Sequence, residues 1–246
     1  ALFDGWQFFE KQLLLPQEVE SSLEQAGTMR GTGGWQLSGR DGKQVNGFGT
    51  YHMKVYLPEG KPELAIQIPR IESAYRLFIN EQLVASGGEV SAIKSSAKPG
   101  YNAKTVLIPT KKDWFTITIQ VSSYHTAWGG LWSPIVIGNA DDIFATQRDL
   151  VALSMFVLGV LTITAAFYLI QFYLRPSEKI PLVFAFLCLL LFLRELTNEH
   201  MLFVLQFLGV SFAASMKINY LTFYVGLPTV FYFMQLCFPQ TFKASI

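Results

Sequence analysis

The residues with the most chemical potential in this sequence are scattered. Its three histidines, His52, His125 and His200, are far apart in the chain, and its two cysteines, Cys188 and Cys237, fall in apolar runs. No GxSxG elbow, HExxH helix, P-loop or closely spaced His/Cys group is present. Local spacing therefore supplies no nucleophile with its base, no metal centre and no phosphate cradle. A glycosidase needs two carboxylates facing each other across a cleft. Glu72, Glu81 and Glu89 are available, but nothing in their spacing pairs them, and solvated surface acids are the simpler reading. The expectation is a chain with no catalytic set, no metal and no cofactor, and not itself an enzyme.

Three groups remain that would contact a ligand or move charge. In the stretch YHTAWGGLW at 124–132, glycines let the backbone bend. With Tyr124 and His125 beside them as candidate contacts, Trp128 and Trp132 would offer two rings to stack on the apolar face of a sugar or another flat ligand. The plainer reading has the two tryptophans closing the end of a β-sandwich or anchoring at a membrane interface. A second group combines the polar loop 87–102, ending near Tyr101, with Arg70, Glu72, Tyr75 and Arg76 from the preceding strand and loop; Trp35 joins the same rim. Its plainer reading is a solvated loop with paired surface charges. The third group, Arg194, Glu195, Glu199 and His200, would be a proton or ion relay at mid-membrane and an ordinary helix-end cluster at the outer interface. The shortness of the apolar run 180–193 favours the interface.

Two different kinds of text position these groups. The average composition, 51% hydrophobic with a net charge of +1, conceals a split, because most charged side chains precede residue 149. No strongly basic surface asks for nucleic acid as a partner. Up to about residue 147 the chain alternates short β-type runs with Gly, Pro, Asn and Asp punctuation: 35–37, 49–57, 63–68, 74–80, 82–85, 105–108, 115–121 and 135–137. Without intervening amphipathic helices these runs predict an all-β sandwich with its own core and no disulfide framework. Ala1 suits the residue after a small-residue cleavage site, so a removed secretory leader is expected.

From 148 onward the sequence is apolar. Residues 150–174 contain no ionisable group beyond two tyrosines and are long enough to cross a roughly 30 Å hydrocarbon core. Residues 180–198 and 217–238 predict two further spans, with Pro228 inside the last, and 201–214 reads as an interfacial piece or a helix extension. Within the first span Ser154, Leu158, Thr162, Ala166 and Ile170 share an i+4 row, which with Gly159 and Ala165 offers a small-residue packing face. Arg175, Lys179 and Lys243 fall on one side of such a bundle. The positive-inside rule then puts the β-domain outside the cytoplasm.

The string GFGTYHMKVYLPEGKPELAIQIPRIESAYRLFINEQLVASGG, with the later FTITIQVSS and GLWSPIVIG strands, resembles the jelly-roll domains of the galactose-binding-like superfamily. Glu81 stands where that pattern usually has Gly after Asn. Together with the text around Arg194 and the NYLTFYVGLPTVFYFMQLCFP span, the whole chain resembles the bacterial seven-transmembrane receptors with diverse intracellular signalling modules. The resemblance implies a multi-pass protein of the bacterial inner membrane. Its periplasmic β-domain, 1–147, would bind a small molecule or glycan, and its helices, 148–246, would relay the event to a cytoplasmic output module beyond this chain. The implied partners are the lipid bilayer, a small ligand, and a second copy or another membrane subunit. An assembly subunit that docks through the β-domain is the competing function.

Overall fold

The computed structural model describes residues 2, 4–29, 47–57, 63–69, 71, 74–100, 104–109, 113–124, 130–131 and 133–240. The chain divides into two compact units, Ala1–Thr146 and Gln147–Ile246.

The first unit is a sandwich of two antiparallel sheets. The larger runs in the order β2 (Gly27–Met29), β1 (Trp6–Glu10), β3 (Gly47–Tyr56), β8 (Trp114–Ser123), β5 (Ala74–Ile79), β6 (Gln82–Gly87); the smaller runs β7 (Lys104–Leu107), β4 (Leu64–Ile68), β9 (Val136–Asn139). Period-two alternation decides which side chains meet. Tyr51 and Met53 of β3, Phe115, Ile117, Ile119 and Val121 of β8, and Tyr75, Leu77 and Ile79 of β5 face Ile66 and Ile68 across the sandwich. Most are fully buried, and at roughly 1.5–3 kcal/mol for each large apolar side chain this layer is the unit's main stabilising term.

The opposite face of the large sheet carries Thr50, His52, Lys54, Thr116, Thr118 and Gln120, and the first strands are followed by a cover for it. After β1 the chain turns at Lys11, which has a φ of 56°, and runs through a short helix α1 (Pro16–Val19) and a 3-10 turn (Glu20–Gln25). Pro16 pre-sets the first helical φ, and the Glu18 carboxylate accepts the Leu15 amide at 2.8 Å, so the turn is capped from within. This strap is bound to the sheet. Leu14 N donates to Thr50 Oγ1 at 2.9 Å, that hydroxyl donates to Gln12 O at 2.8 Å, and Gln120 Nε2 donates to Leu14 O at 3.0 Å. Thr50 and Thr118, polar residues on the outer face, are fully buried as a result.

The helical unit is built from α2 (Ala140–Leu174), α3 (Ile180–Glu195), the short α4 (Leu202–Phe207) and α5 (Phe212–Cys237). Among the described residues, only α2 and α5 are individually long and apolar enough to cross a membrane. The pair Ile180–Glu195 and Glu199–Phe207, bent by 79°, would be a third span only if it counts as one broken element. The three expected spans therefore become two or three. The 201–214 stretch is also revised: its first part is the tail of the bent pair, and its last residues, from Phe212, begin α5. Ser211 makes that start possible, its hydroxyl accepting the Ala214 amide.

Candidate functional site

One cleft stands out on the β-unit, with a volume of about 580 Å3, between the strap and the outer face of the large sheet. Pro16, Gln17 and Glu20 form one wall. His52, Trp114 and Thr116 form the floor, and the β5–β6 hairpin, Ile79 to Gln82, closes the end, with Pro109 beside it. Register explains the floor, since Tyr56 pairs with Trp114 and Lys54 with Thr116, so that β3 and β8 present alternate residues outward together. The hairpin tip is fixed by Asn80. Its backbone takes a φ of 55°, its amide donates to Thr116 O at 2.8 Å, and its side-chain oxygen accepts Thr116 N at 3.1 Å. Because the positive φ falls on Asn80, Glu81 needs no glycine's freedom and puts a carboxylate at the cleft instead.

The chemistry of this cleft is acidic, polar and partly aromatic. Among the described residues, Glu81 receives one hydrogen bond, from Gln17 Nε2 at 3.3 Å. His52 is 9% exposed and bonds Thr118 Oγ1 through Nδ1 at 3.0 Å. Burial pulls its pKa below the ordinary imidazole value, against a smaller opposing pull from the Glu20 carboxylate, so it favours the neutral ring. The half-buried Trp114 ring carries the Lys54 ammonium 4.3 Å from its centroid. A mixed lining of one indole, two carboxylates, amides and a neutral imidazole suits a small ligand rich in hydroxyl groups: each polar group can take or give a hydrogen bond while the ring covers an apolar face.

The contacts expected from sequence are not those of the cleft. Trp35, Arg70, Glu72, Tyr101, His125, Trp128 and Trp132, and the expected strand at 35–37, lie outside the described residues. Tyr75 is withdrawn as a ligand contact: it points into the sandwich, is fully buried, and its phenol is pushed up in pKa by that burial. Arg76 is exposed on the outer face but does not line the cleft. Tyr124 spends its hydroxyl on Ala92 O at 2.6 Å, where it fastens the 87–102 loop. That loop is also closed by a bridge between Glu89 and Lys98, whose side chains pair at 3.0 Å. At Gly88, with a φ of 71°, an added Cβ would lie 2.1 Å from Lys98 O. Among the described residues of this loop, Glu89 and Lys98 thus form one surface charge pair.

A second polar group sits inside the helical unit. Ser154 of α2, 3% exposed, contacts Glu195 Oε1 at the end of α3 in a short hydrogen bond and His200 Nε2 at 2.7 Å. Asn198 Nδ2 donates to the other carboxylate oxygen at 2.8 Å. Serine has a single hydroxyl proton. If it goes to an ionised Glu195, His200 must donate through Nε2; if Glu195 is protonated, the chain of bonds can run the other way. Arg194 instead lies over the Phe223 ring of α5, 5.8 Å from its centroid, and Glu199 is exposed. The expected four-residue cluster therefore resolves into Glu195 and His200 with Ser154, a residue read from sequence only as part of a packing row. That row is buried at Ser154 and Leu158 alone, and a Cβ added at Gly159 would meet nothing within 4 Å.

No protein-family model matches this chain, and no curated protein does. Solved structures similar to it include Bacteroides uniformis β-glucuronidase 2, at 14% identity and a TM-score of 0.44, over 56% of this chain and 17% of that one. A putative β-galactosidase from Bacteroides fragilis follows at 18% identity and 0.41, over 56% and 22%. The Ruminococcus gnavus β-glucuronidase stands at 12% and 0.38, over 55% and 27%. The chain thus spans about a quarter or less of the length of these proteins. All three bear the names of enzymes, against the expectation of a chain that is not itself an enzyme, and the matched part is a minor share of each.

Proposed function

We propose that the β-unit captures a small polyhydroxylated ligand, a carbohydrate, in the cleft between strap and sheet, while the apolar helices hold it at a bacterial inner membrane. The observation that carries this reading is the cleft itself: about 580 Å3, with Trp114 set among Glu20, His52, Asn80, Glu81 and Gln82. A galactose-binding-like jelly roll in a sensory receptor fragment is the form of the protein that fits this best. Transmission is supported by the way α2 begins. Ala140 N donates to Glu63 O at 2.9 Å, Asn139 Oδ1 accepts the Asp141 amide, and Ala140 and Ile143 pack on Ala65 of β4. The first turn of the helix therefore packs on the small sheet, in a cluster separate from the main sandwich core, and in this reading a shift of that sheet would be passed to it. The side of the membrane rests on Arg175 and Lys179 in the first connection.

The test is calorimetric titration of the full chain in detergent with hexoses, hexosamines, uronic acids and disaccharides, repeated on Trp114→Ala. Binding in the wild type that weakens roughly threefold or more in the variant supports the reading, since an aromatic contact contributes about 0.5–1.5 kcal/mol beyond its area. No binding across the panel would remove it.

Hydrolysis of a glycan is a second reading, favoured by one observation: two carboxylates, Glu20 and Glu81, line the same cleft. Release of nitrophenol from aryl glycosides, abolished in both Glu20→Gln and Glu81→Gln, would establish it. Binding without turnover would leave capture alone.

A further inference from the structure

We infer that the cleft is built for a polyhydroxylated ligand that carries a positive charge, an amino sugar, in preference to a neutral sugar or a uronic acid. The inference rests on the carbohydrate reading above and adds the charge of the ligand to it.

Glu20 and Glu81 both line the cleft, and among the described residues neither has an ion-pair partner; Glu81 is held there only by the neutral Gln17 amide. His52, which might have balanced one of them, is kept toward its neutral form by burial. The Lys54 ammonium is directed to the Trp114 and Tyr56 rings, at 4.3 and 5.3 Å from their centroids, and forms no ion pair with either carboxylate. Among the described residues the lining therefore has two carboxylates and no cation, the nearest ammonium, that of Lys54, being held on the Trp114 ring. A carboxylate on the ligand would be repelled, and a neutral ligand would leave both charges unpaired.

A second observation points to a ligand independently of the acids. His52 is nine-tenths buried and lines the cleft; its Nδ1 is fixed by Thr118, while its Nε2 has no partner among the described residues. An unpartnered ring nitrogen on a largely buried residue that lines an open cleft is a waiting hydrogen-bond position. The neutral ring offers one donor or one acceptor there, which matches a ligand hydroxyl. The site thus combines a hydroxyl position at His52, a ring surface at Trp114 and two carboxylates for an ammonium group.

Both glutamates are exposed, so their attraction is screened. At about 0.2–1 kcal/mol for each exposed pair, two pairs give an advantage of roughly twofold to thirtyfold. The experiment compares glucosamine, N-acetylglucosamine, glucose and glucuronate on the full chain in detergent, near pH 6.8, where a sugar amine with a pKa near that of an α-amino group, about 7.7, is mostly protonated. Glucosamine is expected to bind at least twofold more tightly than glucose, with glucuronate weakest. The advantage should shrink in Glu20→Gln, in Glu81→Gln and at high salt. Equal binding of glucose and glucosamine, or tightest binding by glucuronate, would overturn the charge assignment and leave the carbohydrate reading standing. If no sugar binds, both fall.

Discussion

Replacing Thr50 by Val tests whether the strap is what builds the cleft. The substitution keeps the shape and the β-branched fit of the side chain but removes a hydroxyl that accepts from Leu14 N at 2.9 Å and donates to Gln12 O at 2.8 Å. Thr50 is fully buried, whereas Gln12 and Leu14 are half-buried, so water can reach part of what is left unpaired. Of the usual 1–3 kcal/mol for orphaning such groups, the lower part applies, about 1–2 kcal/mol. For a unit of this size that is a fall in melting temperature of roughly 2–8 °C. The Gln120 bond to Leu14 O remains, so the strap should loosen without unfolding the sheet. Hydrogen exchange is the discriminating assay: amides of residues 11–25 should lose protection while β3 and β8 keep theirs, and sugar affinity should fall with them. Thr50→Ser is the control. It retains the hydroxyl at the cost of one methyl, about 0.8 kcal/mol, and should leave strap protection and affinity intact. Unchanged protection and affinity in Thr50→Val would refute the assignment of the strap as a wall of the site.

Other outcomes follow from single groups. Because burial lowers the folded-state pKa of His52 below its unfolded value near 6.5, its contribution to stability is complete above about pH 6.5 and is lost as pH falls toward the folded pKa. Thermal melts from pH 7.5 to 5.5 should slope more steeply for the wild type than for His52→Gln, and parallel curves would contradict this. Ser154→Ala removes the atom that joins α2 to Glu195 and His200. Since both partner side chains are about a quarter exposed, the cost should be about 1 kcal/mol, seen as earlier proteolysis of the helical unit in detergent. A variant as resistant as wild type would show the contact to be idle. If the bent pair is one span, cysteines introduced at Ser177 and Ser211 should label from opposite sides of the membrane; labelling from one side would make it a re-entrant element.

Much of the sandwich is legible in the sequence, because alternation along runs such as FTITIQVSS directly encodes which residues meet in the core. The strap is not. LLLPQEVESS has no period long enough to declare a helix, and its order comes from bonds to Thr50 and Gln120, 36 to 106 residues away. The cleft is illegible for the same reason: its residues come from 16–20, 52, 79–82 and 109–116, and only strand pairing brings them together. Glu81 left one sign, a charged residue where a turn favours Gly. The aromatic string at 124–132 drew notice by composition, yet its Tyr124 ties down a neighbouring loop. In the helical unit Glu195 and His200 are legible as polar groups in apolar text, whereas Ser154 is one small residue in a packing row and only the fold sets it between them.

The central claim is that the ligand lies between strap and sheet. Photo-crosslinking with a diazirine derivative of the tightest-binding sugar, followed by peptide mapping of the full chain, tests it most directly. Labels in peptides containing residues 16–20, 79–82 and 109–116, suppressed by excess unmodified sugar, are the predicted result. Competable labels confined to the 87–102 loop or to the helical unit would contradict it.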